Sequence, residues 1–171
     1  EGLTADADDY TVDYVYAGDT SGKLWKFDLS STASQDWTNA HLIFDAGQPI
    51  SLQPTIASLD EASSLASGSN GRFIYFGTGQ YFSYSDHSAT ELHAVYGLID
   101  TDECAGASLA CITQADLLEQ SIASGQVSHH LREARHQGWR LSLSDSVDGT
   151  RLASPAIAQE GLLLFASLQP D

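Results

Sequence analysis

Tyr14-Val15-Tyr16-Ala17-Gly18-Asp19-Thr20-Ser21-Gly22-Lys23-Leu24-Trp25-Lys26-Phe27-Asp28-Leu29 reads as strand, turn and strand. Aromatic and β-branched side chains fill its first limb, and such residues suit a pleated, half-buried surface. Asp19-Thr20-Ser21-Gly22 has turn chemistry. The second limb alternates: Leu24, Lys26 and Asp28 fall on one register, Lys23, Trp25 and Phe27 on the other. Apolar side chains occur on both registers, as in a strand covered on both faces.

Working outward, the same rhythm returns. Asn70-Gly71 signals a hairpin turn, and Arg72-Phe73-Ile74-Tyr75-Phe76 is a strand that ends at Gly77-Thr78-Gly79. Beyond a polar loop, Ala94-Val95-Tyr96-Gly97-Leu98-Ile99-Asp100 is its expected partner. A third unit is expected from Gly138–Leu143, through the turn Asp148-Gly149, to Arg151-Leu152-Ala153. Ala156-Ile157-Ala158 and Leu162–Ala166 close the chain around Gln159-Glu160-Gly161. One helix interrupts the strands: Thr113 caps it, Asp116 follows three residues on, Leu117, Leu118 and Ile122 form a stripe, and it ends near Gly125.

The units share an aromatic strand and a small-residue turn; Val15-Tyr16-Ala17-Gly18-Asp19 matches Ile74-Tyr75-Phe76-Gly77-Thr78. Degenerate all-β repeats of roughly forty residues are the mark of a propeller. The expected class is therefore all-β, a partial β-propeller of antiparallel hairpin blades with one short helical insertion. A sandwich of the same hairpins is the alternative.

The 171 residues carry 7 Lys and Arg against 23 Asp and Glu, a net charge of −16. That surface repels phosphates and anionic headgroups, so nucleic acid is not an expected partner. It suits divalent cations, or serves solubility alone. No apolar run reaches the roughly 18 residues of a spanning helix. The chain starts at Glu1 and contains no methionine, which predicts a fragment or a processed segment.

Three stretches in order, Asp13–Leu29, Phe76-Gly77-Thr78-Gly79-Gln80-Tyr81-Phe82 and Gly138-Trp139-Arg140-Leu141, resemble the carboxy-terminal domain of PilY-type type IV pilus biogenesis proteins. Gln48-Pro49-Ile50, Gln53-Pro54 and Ala94–Asp100 are similar to the family as well. The resemblance implies a modified β-propeller exported to the envelope and found at the pilus tip, the outer membrane surface or the periplasm. It implies a non-catalytic role in pilus assembly, retraction and surface adhesion. The partners it implies are minor pilins, the pilus tip complex, and a host or abiotic surface. The family domain continues past the equivalent of Leu164–Pro170, so residues 1–171 are expected to be one portion of a propeller. The final blade or blades would be missing, and the rest of that propeller would be a partner.

In that family an acidic loop before the Tyr-Ala-Gly-Asp strand binds calcium. Asp6, Asp8, Asp9 and Asp13 stand there, one residue short of the family spacing, with Tyr10 where a carboxylate belongs. Calcium takes six to eight oxygens, which alternate carboxylates can wrap around one ion. The bland alternative is a solvated acidic turn. Cys104 and Cys111 flank small polar residues and, in an exported protein, are expected to form a disulfide; two free thiols are the alternative.

His129, His130 and His136 suggest a metal less than a solvated segment, because adjacent histidines point apart on a strand and by about 100° on a helix. Gly77-Thr78-Gly79 lacks the lysine and helix of a phosphate loop and reads as a strand bend. Two other functions compete: a quinone-dependent periplasmic oxidoreductase propeller and a general envelope scaffold. The oxidoreductase would need vicinal cysteines, and Cys104 and Cys111 are not adjacent. No Gly-x-Ser-x-Gly nucleophile elbow occurs, so catalysis is not expected.

Overall fold

The computed structural model describes residues 2–3, 12–37, 40–58, 71–101, 110–130, 133, 135–143, 149–159 and 161–170. Its first sheet runs in chain order through β1 (Gly2–Leu3), β2 (Tyr14–Gly18), β3 (Lys23–Asp28) and β4 (Ala40–Asp45). The turn between β2 and β3 closes on one side chain. The Asp19 carboxylate accepts from Ser21 N at 2.8 Å, Lys23 N at 3.0 Å and Trp25 Nε1 at 2.9 Å. Gly22, at φ +92°, supplies the left-handed residue. Tyr14 pairs with Asp28 and Gly18 with Leu24, as the alternating sequence predicts.

A second sheet is built from β5 (Thr55–Ser58), β6 (Arg72–Gly77), β7 (Ala94–Asp100), β8 (Leu118–Gln120) and β11 (Gly138–Ser142), in the spatial order β5-β6-β7-β11-β8. Along the chain, a small ribbon of β9 (Ile122–Ala123) with β10 (Gln126–Val127) separates β8 from β11. The later strands are β12 (Arg151–Leu152), β13 (Ile157–Gln159), β14 (Leu162–Leu164) and β15 (Ser167–Leu168). They form two more pairs, β12 with β15 and β13 with β14.

The two large sheets stack face to face. Tyr16, Leu24, Ile43 and Phe44 from the first meet Ile74, Phe76, Tyr96 and Leu98 from the second in one buried cluster. Tyr96 stacks on Phe76 at 5.0 Å and tilts against Phe44 at 5.3 Å. The second sheet buries its other face on a smaller cluster of Val95, Leu141, Leu143 and Leu152, flanked by Trp139 and Phe165. Every residue of β7 is buried, since it lies between both clusters. The four-stranded sheet is antiparallel throughout and the five-stranded one everywhere but at its parallel β8–β11 pair; stacked in this way they are blades, and the all-β propeller class stands.

Two expectations need correction. The helix that should run to Gly125 stops after one 3-10 turn, Gln114–Asp116. Its start is as read: the Asp116 carboxylate accepts from Thr113 N at 2.8 Å and Thr113 Oγ1 at 2.6 Å. Leu117 then joins the first cluster and Ile122 the second, on opposite faces of the sheet. A helical stripe would put both on one face; an extended strand separates them.

The third hairpin does not form either, because β11 lies between β7 and β8 while Arg151–Leu152 pairs with Ser167–Leu168. Strands β4 and β5 went unread: a register shift against Leu24 and Trp25 breaks the alternation in one, and the other is four residues long.

Candidate functional site

Strand β6 ends in Gly77-Thr78-Gly79, and both glycines are demanded by close approach. A Cβ on Gly77 would lie 2.1 Å from Leu152 Cδ1, and one on Gly79 would lie 2.5 Å from Arg151 Cβ. Gly79 has φ +122° and bridges to Ile50, so the strand bend expected from sequence is present. Thr78 is buried; its hydroxyl oxygen accepts from Ala94 N at 3.0 Å, and Gly79 N donates to Pro49 O at 2.8 Å. The chain then leaves the sheet as a loop that returns at β7.

Two charged side chains shape that loop. The Arg151 guanidinium is 2% exposed, and no carboxylate among the described residues pairs with it. It donates instead to Gln80 O at 2.6 Å, Ala89 O at 3.2 Å and Gly149 O at 2.9 Å, strapping the two limbs together. The Asp86 carboxylate accepts from Ser83 N and Phe82 N, each at 2.8 Å, and from Gln80 Nε2 at 3.2 Å. These backbone bonds to Ser83 and Phe82 hold its pKa at about 2. The outcome is a fixed loop whose Phe82 and Tyr84 rings stand 69% and 90% exposed. Tyr81 instead bonds His87 Nδ1 through its hydroxyl at 2.7 Å.

His93, at the loop's return, is buried with no hydrogen-bond partner at either ring nitrogen. Burial first, and the positive charge of Arg151 second, hold its pKa below the ordinary imidazole value.

A second polar constellation joins the two sheets. Asp100 is fully buried and accepts from Lys26 Nζ at 2.7 Å and Tyr16 Oη at 2.5 Å. Lys26 Nζ lies 4.4 Å from the Tyr14 ring centre, and the Arg72 guanidinium lies 4.3 Å from it. Arg72 stands opposite Asp100 in the β6–β7 register. Two buried cations thus gather around a buried carboxylate and the face of one tyrosine, which fixes one sheet against the other.

Of the expected calcium residues, Asp6, Asp8 and Asp9 lie outside the described residues. Asp13 is described: it is buried just before β2, and its carbonyl accepts from Leu29 N at 2.7 Å. Among the described residues no three His, Cys, Asp or Glu side chains are grouped for a metal. Cys104 also lies outside the described residues; Cys111 is half-buried, its amide donating to Leu42 O at 3.3 Å.

The histidines separate. His129 and His130 are exposed, whereas His136 is buried and accepts from Glu133 N at 3.0 Å, so the solvated reading fails for it alone. Sequence reasoning missed Arg151, Lys26 and Asp100 as buried charges. Lys26, on the register of Leu24, was the one signal for the inter-sheet pair.

Stacked blades, locked by a buried ion pair and carrying exposed aromatic rings on the loop between β6 and β7, define a propeller scaffold. The family model described as the PilY1 beta-propeller domain matches residues 2–135, and the chain belongs to that family. It is 29% identical, over 95% of its length, to a type IV pilus biogenesis factor PilY1 homolog of Xylella fastidiosa. A second such homolog from that organism is 29% identical over 80% of the chain. Type IV pilus biogenesis factor PilY1 of Pseudomonas aeruginosa strain PAO1 is 30% identical over 67%. The chain spans only 11–12% of the length of these relatives. No solved structure matches it.

Proposed function

We propose that this chain is a non-catalytic propeller segment of a type IV pilus biogenesis protein, acting in assembly and surface adhesion at the pilus tip. The observation that supports this reading most is the family match over residues 2–135, joined to relatives named as pilus biogenesis factors. An exported position, with minor pilins as neighbours, follows from the same reading. No helix among the described residues is long and apolar enough to cross a membrane. Excising residues 1–171 from the gene in its native host tests the reading. Loss of surface pili, restored by the intact gene, is expected; normal pili and adhesion would overturn it.

Calcium binding by Asp6, Asp8, Asp9 and Asp13 and a Cys104–Cys111 disulfide belong to the same proposal. Crowded carboxylates repel one another without an ion, so calcium should raise the melting temperature. Asp13→Ala should abolish that rise. No heat in calorimetry and an unchanged midpoint in millimolar calcium would remove the site.

A further inference from the structure

We propose that the loop between β6 and β7 is a preformed recognition surface for a basic, arginine-bearing protein segment. Phe82 and Tyr84 expose their rings on a loop that Arg151 and Asp86 fix from beneath, so ordering these rings on binding costs little. Serines 83, 85 and 88 alternate with the aromatics, and a mixture of tyrosine and serine is the composition of protein-binding loops. Tyr81 already shows the mode of contact, since the Arg151 guanidinium lies 5.8 Å from its ring centre. Phe82 has no ring or cation partner of this kind among the described residues.

Charge selects the occupant. On the loop Glu91 is exposed while Asp86 is buried, and the turns that abut its base carry Asp19, beside Lys23, and the exposed Asp45. Those turns join it through Ile50 N to Asp19 O at 2.9 Å and Gly79 N to Pro49 O at 2.8 Å. Arg151, the nearby arginine, is buried, and the whole chain has a net charge of −16. Aromatic faces within an acidic rim attract guanidinium groups, which stack on rings better than ammonium does. The same rim repels anionic lipid. The inference stands whether or not the pilus reading holds.

The test uses the intact protein with two peptides of equal charge, (Gly-Arg)5 and (Gly-Lys)5, and the double variant Phe82→Ser/Tyr84→Ser. Each exposed cation–π contact is worth about threefold in affinity, so the double variant should bind (Gly-Arg)5 about tenfold more weakly. The unsubstituted protein should prefer (Gly-Arg)5 to (Gly-Lys)5, and the variant should lose that preference. Its melting midpoint should stay unchanged, because both rings are exposed; should it move, Tyr84→Ser alone carries the comparison. Equal binding of (Gly-Arg)5 by variant and parent would show that net charge alone acts, and would overturn the proposal. Binding of the parent to phosphatidylcholine vesicles that the double substitution abolishes would assign the rings to a membrane and overturn it as well.

Discussion

The interface between the two large sheets and the ribbon β13–β14 treat apolar surface in opposite ways. At the interface, large side chains from both sheets are buried, and the ion pair Lys26–Asp100 sits within the layer. On the ribbon, Ala158 and Leu163 are partly covered while Ile157, Leu162 and Leu164 remain 59–67% exposed. Pairing sets Ile157 opposite Leu164 and Gln159 opposite Leu162, so the three exposed side chains share one face. A blade packed on both faces is finished; one with an uncovered apolar face is complementary to a further sheet.

The interface should break most severely at Asp100. Asp100→Ala leaves Lys26 and Arg72 buried around Tyr14 without that carboxylate, and removing one partner of a buried pair costs about 3–5 kcal/mol. Chemical denaturation should show that loss. The double change Lys26→Met/Asp100→Leu should recover most of it; a double variant as unstable as Asp100→Ala would mean the pair itself is the source of stability.

Next in size is the ribbon. In the intact protein, Leu164→Ser should cost up to about 1.5–3 kcal/mol if a neighbouring sheet buries it fully. In residues 1–171 alone it should fall within about 0.5 kcal/mol, as for an exposed site. Equal effects in both settings would show that nothing covers this face.

A smaller, pH-dependent effect separates the two regions further. The His93 pKa lies below its unfolded value of about 6.5, so just below that pH the unfolded chain binds more protons. Stability is therefore full above about pH 6.5 and declines as pH falls through the interval down to the lowered folded value. His93→Leu should flatten that decline in thermal melts between pH 7 and 5. An unaltered slope would place the dependence elsewhere.

The closed region was the legible one. Asp19–Gly22 and the glycines of Gly77-Thr78-Gly79 wrote their turns into local chemistry, and β2, β3, β6 and β7 follow from alternation. What local pattern missed was decided by distant partners. Leu117 and Ile122 read as one helical stripe because nothing nearby says that the two side chains go to different cores. Arg151 read only as the first residue of a hairpin strand, although carbonyls 62 and 71 residues earlier in the chain bind its guanidinium. The acidic segment Asp6–Asp9 was the most suggestive motif, and it lies outside the described residues.

The uncovered ribbon face can be tested directly by expressing residues 1–171 alone and following sedimentation and thermal unfolding together. An exposed apolar face of Ile157, Leu162 and Leu164 favours association. The account predicts a self-associating species with a broad transition, and a longer chain that includes a sheet over this face should relieve it. A monodisperse monomer that melts in one cooperative step would contradict it.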